Sequence, residues 1–186
     1  MRLIAIVGMT GSGKSELAKL FEKDNYQKIR FGDITTEIIK QKGLVENEQN
    51  EKLIRESIRK EHGMAAYAKL NLPKIEELLK RGNVIIDGLY SWEEYLFLKE
   101  KFPYMIVLAI YSPPEMRYER LTEREIRGLT KEQAKARDKA EIENLNKAGP
   151  IVMADYTLLN VGTLYDLEIN YKKFLEWLNE QEEIEK

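Results

Sequence analysis

Short apolar runs alternate with longer segments in which apolar residues recur every three or four positions. The short runs predict strands at about 2–7, 27–31, 84–86, 104–111 and 157–161. Helices are expected in the segments between these strands, and such an alternation is typical of a parallel α/β sheet. The run Val84–Ile86 is β-branched throughout, which favours a central strand covered on both faces.

The helical periodicity and the turn residues delimit the remaining elements. Helices are predicted at about 14–23, 33–42, 47–62, 64–81, 91–101, from Pro114, at 130–147 and from Leu164 to the C-terminus. Pro73 is expected to kink or split the fourth of them. Two helical segments, about 47–80 and 120–147, look inserted relative to a minimal five-stranded nucleotide-binding sheet. Their polar character suits parts that close over ligands.

Composition narrows the functional classes. The 186 residues fit one domain, and a net charge of −2 gives no global attraction to nucleic acid. The absence of cysteine excludes disulfides and thiolate chemistry, and we expect a reducing, cytoplasmic setting. The first apolar run is too short for a membrane span or the core of a signal peptide. One histidine, His62, rules out a multi-histidine metal centre.

Residues 8–15, with the sequence GMTGSGKS, match the phosphate-loop pattern G-x-x-x-x-G-K-[ST]. The loop follows an apolar strand and opens an amphipathic helix. Its glycines let successive N–H groups point at phosphate oxygens, and the helix start adds its positive dipole end. Lys14 is expected to reach the β- and γ-phosphates, and Ser15 to offer its hydroxyl to Mg²⁺. The alternative is a glycine-rich turn without a ligand.

Two aspartates follow predicted strands at the sheet edge where ligands bind. Asp87 is predicted to hold Mg²⁺ together with Ser15, although Asp87-Gly88 is also a common turn. Asp33 is predicted to orient or deprotonate an acceptor hydroxyl, although it could merely cap the following helix.

Basic residues form two further groups. Arg117, Arg120, Arg124 and Arg127 share one helix face if the helix persists, and Arg137 follows them. Guanidinium groups neutralise charge on a transferring phosphoryl group, so Arg120 and Arg124 are predicted to touch phosphate and Arg117 to be structural. The alternative is a solvated face paired with neighbouring glutamates.

The second basic group and a few aromatic residues point towards an acceptor. Arg55, Arg59 and His62 share a face that suits an acidic acceptor, as would an ordinary charged surface helix. Aromatic residues that could stack on a base, or simply pack, are Tyr67, Tyr90 and Trp92. The stretch 146–149 hints at a guanine-reading motif, but it lacks the aspartate and follows a polar helix, so we reject it.

Together, these motifs and the ending Ala154-Asp155-Tyr156…Asn160-Val161-Gly162 resemble the P-loop nucleoside monophosphate kinase-like group. Within it, the chain is most similar to dephospho-coenzyme A kinases and archaeal adenylate kinase-related proteins. The resemblance implies a three-layer P-loop NTPase fold with a five-stranded parallel sheet in the order 2-3-1-4-5. It also implies ATP and Mg²⁺ as cofactors, an acceptor-binding insertion at about 47–80 and a lid at about 117–147.

The resemblance carries roles to individual positions. Residues expected to bind ATP are Gly8, Thr10, Gly11, Ser12, Gly13, Lys14, Ser15, Glu16, Asn160, Gly162 and Thr163, the last three beside the adenine. Residues expected to bind the acceptor are Asp33, Arg55, Arg59, Gly88 and Tyr90. Lys14, Asp33, Arg120 and Arg124 would be catalytic, and Ser15 and Asp87 would hold the metal.

Some positions depart from these families. Adenylate kinases carry acceptor-clamping arginines where this chain has Thr36 and Ser91, and archaeal relatives tend to have arginine at the position of Tyr90. Dephospho-coenzyme A kinases usually show Asp-x-Asp where this chain has Phe31-Gly32-Asp33. The sequence therefore predicts a small-molecule kinase, with a dephospho-coenzyme A-like acceptor first and a nucleoside monophosphate second. A nucleotide sensor without transferase activity is the alternative of another class.

Overall fold

The computed structural model of the chain describes residues 1–124 and 128–184. Its sheet has five parallel strands in the order β2-β3-β1-β4-β5. The strands are β1 (Leu3–Val7), β2 (Gln27–Arg30), β3 (Val84–Asp87), β4 (Ile106–Tyr111) and β5 (Tyr156–Leu159). This is the strand order of the P-loop NTPase fold, so the predicted fold class is confirmed.

Helices cover both faces of the sheet. Those of the first half are α1 (Lys14–Lys23), α2 (Asp33–Gln41), α3 (Glu48–His62), α4 (Ala66–Leu79) and α5 (Trp92–Lys101). Those of the second half are α6 (Pro114–Thr122), α7 (Lys131–Leu145), α8 (Ala148–Val152) and α9 (Leu164–Ile184). Within the described residues, none of them combines the length and the apolar character that crossing a membrane requires.

The side-chain alternation of β1 explains why this strand lies at the centre of the sheet. Leu3, Ala5 and Val7 pack into the core beneath α2 to α5, whereas Ile4 and Ile6 pack into the core beneath α1 and α9. All five residues are buried. A strand that feeds two cores is apolar at every position, which is the pattern of the sequence here.

Several element boundaries differ from the sequence-based expectations. The helix α4 continues through Pro73 rather than splitting there. The helix α7 ends at Leu145 because Asn146 adopts a left-handed conformation with φ of 50°, and the short helix α8 was not predicted. The strand β5 starts one residue earlier and ends two residues earlier than expected.

Parallel packing brings three chemically distinctive turns to one edge of the sheet. The phosphate loop follows β1, Phe31-Gly32-Asp33 follows β2, and Gly88 follows β3. Since β2 and β1 both pair with β3, these turns are neighbours in space. The carboxyl edge of an open α/β sheet is where ligands bind in this architecture.

Candidate nucleotide-binding site

The phosphate loop has a backbone shape that requires glycine. Gly13, directly before α1, has a φ of 103°, and a side chain there would collide with the Asn160 amide. The Ser12 hydroxyl of the same loop is buried, with no hydrogen-bond partner among the described residues. A tightly curled loop with an unsatisfied buried hydroxyl fits a bound phosphate.

Lys14 turns back onto its own loop. Its ammonium donates hydrogen bonds to the carbonyl oxygens of Gly8 at 2.9 Å and Met9 at 3.1 Å. Burial of the ammonium, followed by repulsion from the nearby Lys147, lowers the pKa of Lys14 to about 7. A negative charge bound at the loop would therefore stabilise the protonated form of Lys14.

The residues predicted to hold Mg²⁺ lie on two neighbouring elements. Ser15 is exposed in the first turn of α1, and Asp87 is the buried last residue of β3. Burial raises the pKa of Asp87, and the positive charge of Lys14 opposes that rise. A hydroxyl and a carboxylate on adjacent turns are oxygen donors of the kind that Mg²⁺ takes beside nucleotide phosphates.

Asp33 occupies the first turn of α2, beside Asp87. Its carboxylate is half-exposed and lies 3.6 Å from the Arg30 guanidinium, at the end of β2. The negative charge of Asp33 also reaches Asp87. The Tyr90 ring packs over Gly88 between these turns, which a Cβ at Gly88 would prevent. The acceptor-side residues Asp33, Gly88 and Tyr90 are thus brought together.

The segment predicted as a lid is tied to the phosphate loop by a buried ion pair. Arg117 of α6 donates to both carboxylate oxygens of Asp138 of α7, at 2.9 and 2.6 Å. The same guanidinium donates to the backbone carbonyls of Thr10 and Ser112. Each of the three guanidinium nitrogens of Arg117 therefore has an acceptor, as a structural cation requires.

The other arginines of this basic group have different surroundings. Arg120 donates to the Ser112 hydroxyl at 2.9 Å and to the Asn160 carbonyl at 3.1 Å. Arg124 is exposed after the end of α6. Arg127 lies outside the described residues. Arg120 is thus held against the turn after β5, and a phosphate contact by either Arg120 or Arg124 stays a prediction.

The turn after β5 supports the phosphate loop from behind. The Asn160 side-chain amide donates to the Ser12 carbonyl at 2.8 Å, and Ser112 hydrogen-bonds the Asn160 carbonyl. Thr163 caps the start of α9 through Asp166, and Gly162 and Thr163 are exposed. The adenine contacts of this turn stay a prediction, whereas the hydrogen bonds of Asn160 hold the turn against the phosphate loop.

Sequence reasoning missed a charged cluster at the mouth of the loop. The Lys147 ammonium is buried and donates to Glu141 at 2.6 Å. The other oxygen of Glu141 accepts from the Thr10 hydroxyl at 2.7 Å and from Arg137 at 3.2 Å. Attraction to Lys147 holds the pKa of Glu141 at about 2, against the opposing effect of burial. The i,i+4 spacing of Arg137 and Glu141 could have predicted their pairing, whereas no pattern in the sequence marks Lys147.

One of the two arginines predicted to bind the acceptor has a buried donor without a hydrogen-bond partner among the described residues. Arg55 pairs with Glu48 at 2.7 Å and Glu51 at 3.0 Å on its own helix. Arg59 lies 5.2 Å over the Tyr67 ring, and its buried Nε has no hydrogen-bond partner among the described residues. Of the two arginines, Arg59 is therefore the one whose buried Nε–H is available to a bound acceptor.

Comparison with known proteins agrees with the fold and the loop. A protein-family model described as an AAA domain matches residues 4–145. A UPF0200 protein of Thermococcus kodakarensis is 35% identical over 179 residues, covering 94% of this chain and 96% of that protein. A UPF0200 protein of Sulfurisphaera tokodaii is also 35% identical, with the same coverage of both chains. The fold and the loop thus define a P-loop protein with a kinase-like architecture. The chain belongs to the AAA-domain family and to the UPF0200 proteins.

Solved structures share this architecture. A shikimate kinase of Bacteroides thetaiotaomicron superposes with a TM-score of 0.63 at 16% identity, covering 96% of this chain and 98% of that one. A gluconokinase of Sinorhizobium meliloti gives a TM-score of 0.56 at 16% identity, covering 97% of each chain. At this identity the likeness establishes the common fold.

Proposed function

We propose that the protein transfers the γ-phosphoryl group of ATP, as its Mg²⁺ complex, to a hydroxyl of a small nucleotide-like acceptor. The observation that supports this most is the convergence of Lys14, Asp87 and Asp33 at one sheet edge. Lys14 is the phosphate-binding cation, Asp87 the buried metal-side carboxylate, and Asp33 a solvent-accessible carboxylate next to it. A sensor that only binds nucleotide has no need of the third group.

The chain's own residues have separate tasks in this reaction. The loop amides and Lys14 hold the β- and γ-phosphates, and Ser15 and Asp87 would hold the Mg²⁺ that neutralises developing charge. Asp33 accepts the proton of the acceptor hydroxyl, or orients it, as the oxygen attacks phosphorus. Phosphoryl transfer depends on positioning and charge stabilisation, and these residues supply both.

For the acceptor, we propose a dephospho-coenzyme A-like compound, in line with the resemblance of the C-terminal part of the sequence. A nucleoside monophosphate is the second candidate, because the buried Nε of Arg59 still lacks an acceptor that a phosphate oxygen would supply. The two structural neighbours are named as a shikimate kinase and a gluconokinase, so shikimate and gluconate belong in the same comparison.

The test is phosphotransfer from ATP with Mg²⁺ to a panel of dephospho-coenzyme A, AMP, CMP, shikimate and gluconate. Asp33→Asn is expected to lower turnover of the preferred acceptor by about 100-fold, the usual scale for general-base loss, with the Kd for ATP unchanged. Glu37→Gln, an exposed carboxylate on the same helix, is the matched control and should behave as the wild type.

The possible results distinguish between the candidate functions. Equal turnover by Asp33→Asn and wild type would remove Asp33 from the chemistry. Faster use of AMP or CMP than dephospho-coenzyme A would establish the monophosphate reading. Tight ATP binding without transfer to any acceptor would contradict a kinase and leave a nucleotide sensor.

A further inference from the structure

We propose that Lys147 is a second phosphate-binding cation of the loop, and that Glu141 is its exchangeable counter-ion, which a nucleotide polyphosphate displaces. This inference rests on the proposed nucleotide binding, but it requires no phosphotransfer. It adds a residue from the turn between α7 and α8 to the group that contacts phosphate.

The turn that ends α7 determines where the Lys147 ammonium lies. The helix α7 ends in the left-handed Asn146, and the Lys147 backbone N–H then caps the helix by bonding to the Glu141 carbonyl. That turn directs the side chain inward, where it is 2% exposed and its ammonium lies 5.5 Å from the Tyr90 ring centre. Lys147 therefore stands between the phosphate loop and the turn after β3.

The hydrogen bonding of the Lys147 ammonium is incomplete among the described residues. A protonated lysine has three N–H donors, and Lys147 uses one of them, on Glu141, within the described part of the chain. The neighbouring pair of Arg117 and Asp138 is different, because each nitrogen of the Arg117 guanidinium donates to an acceptor. The Lys147–Glu141 pair therefore has donors left for a ligand, whereas the Arg117–Asp138 pair is structural.

Glu141 already contacts the phosphate loop. Its carboxylate accepts from the Thr10 hydroxyl at 2.7 Å, so Lys147 is one carboxylate away from the phosphate-binding backbone. Glu141 is also shared with Arg137 at 3.2 Å. When a phosphate oxygen arrives, Lys147 can exchange one anionic acceptor for another without losing its proton.

The charges at the loop favour a polyanion. The positive charge of Lys147 is the main charge that opposes protonation of Lys14. Lys14 itself rests on neutral carbonyl oxygens. A polyanion between the two lysines relieves this repulsion, and a chain of phosphates has the required charge and length.

A direct test compares two variants that differ only at Lys147. Glu141→Gln removes the counter-ion, and the double variant Glu141→Gln with Lys147→Met removes both charges, so that neither keeps an unpaired buried carboxylate. Binding of inorganic tripolyphosphate and of Mg-ATP is measured by calorimetry, with the melting temperature as a check of folding. Lys139→Met, an exposed lysine of α7, is the control.

Glu141→Gln is expected to bind tripolyphosphate at least as tightly as the wild type, and about 10-fold or more tighter than the double variant, as loss of a charged hydrogen bond implies. Equal affinities of the two variants, or an effect on melting temperature alone, would overturn the inference and leave a structural ion pair. A wild-type protein that binds tripolyphosphate but phosphorylates nothing would contradict the kinase proposal and leave this one intact.

Discussion

At the scale of single residues, the phosphate loop and its lysine form a proton-linked binding site. The pKa of Lys14 is about 7, because burial and the positive charge of Lys147 disfavour the ammonium. Phosphate binds the protonated form, so a bound triphosphate moves this pKa back towards its ordinary value. Affinity should therefore be greatest below pH 7 and fall as the pH rises above it.

The corresponding measurement is calorimetry at pH 8 in buffers of different ionisation enthalpy. Binding of ATP should take up about one proton in the wild type, since Lys14 is mostly neutral at that pH when free and charged when bound. Lys14→Arg keeps its charge throughout and should take up none. Binding without proton uptake in the wild type would contradict the lowered pKa.

Glu94, in the first turn of α5, is another residue with a shifted pKa. Burial raises the pKa of Glu94 to about 7, and hydrogen bonds from the backbone N–H groups of Tyr90 and Ser91 oppose this. Its second carboxylate oxygen has no hydrogen-bond partner among the described residues. The folded protein therefore binds this proton more tightly than the unfolded chain does.

It follows that stability from Glu94 is fully present below about pH 4.5 and is lost as the pH rises to 7. Between pH 5 and pH 7 the wild type should lose about 2 kcal/mol more free energy of unfolding than Glu94→Gln, on the order expected for a shift of this size. Urea unfolding at both values checks it, with Glu100→Gln of the same helix as an exposed control. Parallel pH dependence of the wild type and Glu94→Gln would contradict the shift.

At the scale of elements, the position of α7 depends on its ion pair with α6. Asp138→Asn should destabilise the protein by about 3 kcal/mol, because it leaves the buried Arg117 guanidinium without its counter-charge. The loop should also loosen, since Arg117 holds the Thr10 carbonyl. Urea unfolding and amide hydrogen exchange in residues 8–15 measure the two effects. Lys139→Gln, adjacent but exposed, should change neither, and a fully stable Asp138→Asn would contradict the structural role.

Elements whose signals are local were predictable from the sequence. The strand β1, the loop at 8–15 and α1 follow one another with clear periodicity, and Asn47 and Ser91 were placed correctly at helix starts. The strand order followed from the family resemblance and is confirmed. The helix α8 and the end of α7 were missed, because Asn146 in a left-handed turn looks in sequence like one more polar helical residue.

The residues of the candidate site could be predicted only where a local pattern in the sequence marks them. Lys14 and Ser15 are recognisable by spacing, and Asp33 and Asp87 by their position after strands. The Arg117–Asp138 pair joins two helices through tertiary packing, and the Glu141–Lys147 pair forms across the turn that ends α7, so no periodicity marks either pair. Lys147 was dismissed together with a false guanine motif, since its inward direction depends on a single backbone turn.

At the scale of the whole molecule, the sheet brings its chemistry to one edge by its strand order alone. With β1 between β3 and β4, the loop after β1 is flanked on one side by Asp87 and on the other by the Ser112 turn. The helices α6 and α7 approach from the β4 side, and α2 and α3 from the β2 side. Nucleotide and acceptor would therefore meet above the central strand.

The same strand order leaves β2 as an outermost strand, and its side chains bear on self-association. Its second and fourth residues, Lys28 and Arg30, are exposed, and Lys28 pairs with Glu22 at 2.5 Å. If a second copy of the chain added a strand next to β2, that strand would lie beside the charged side chains of Lys28 and Arg30. Growth into a continuous intermolecular sheet is thus disfavoured on the β2 flank.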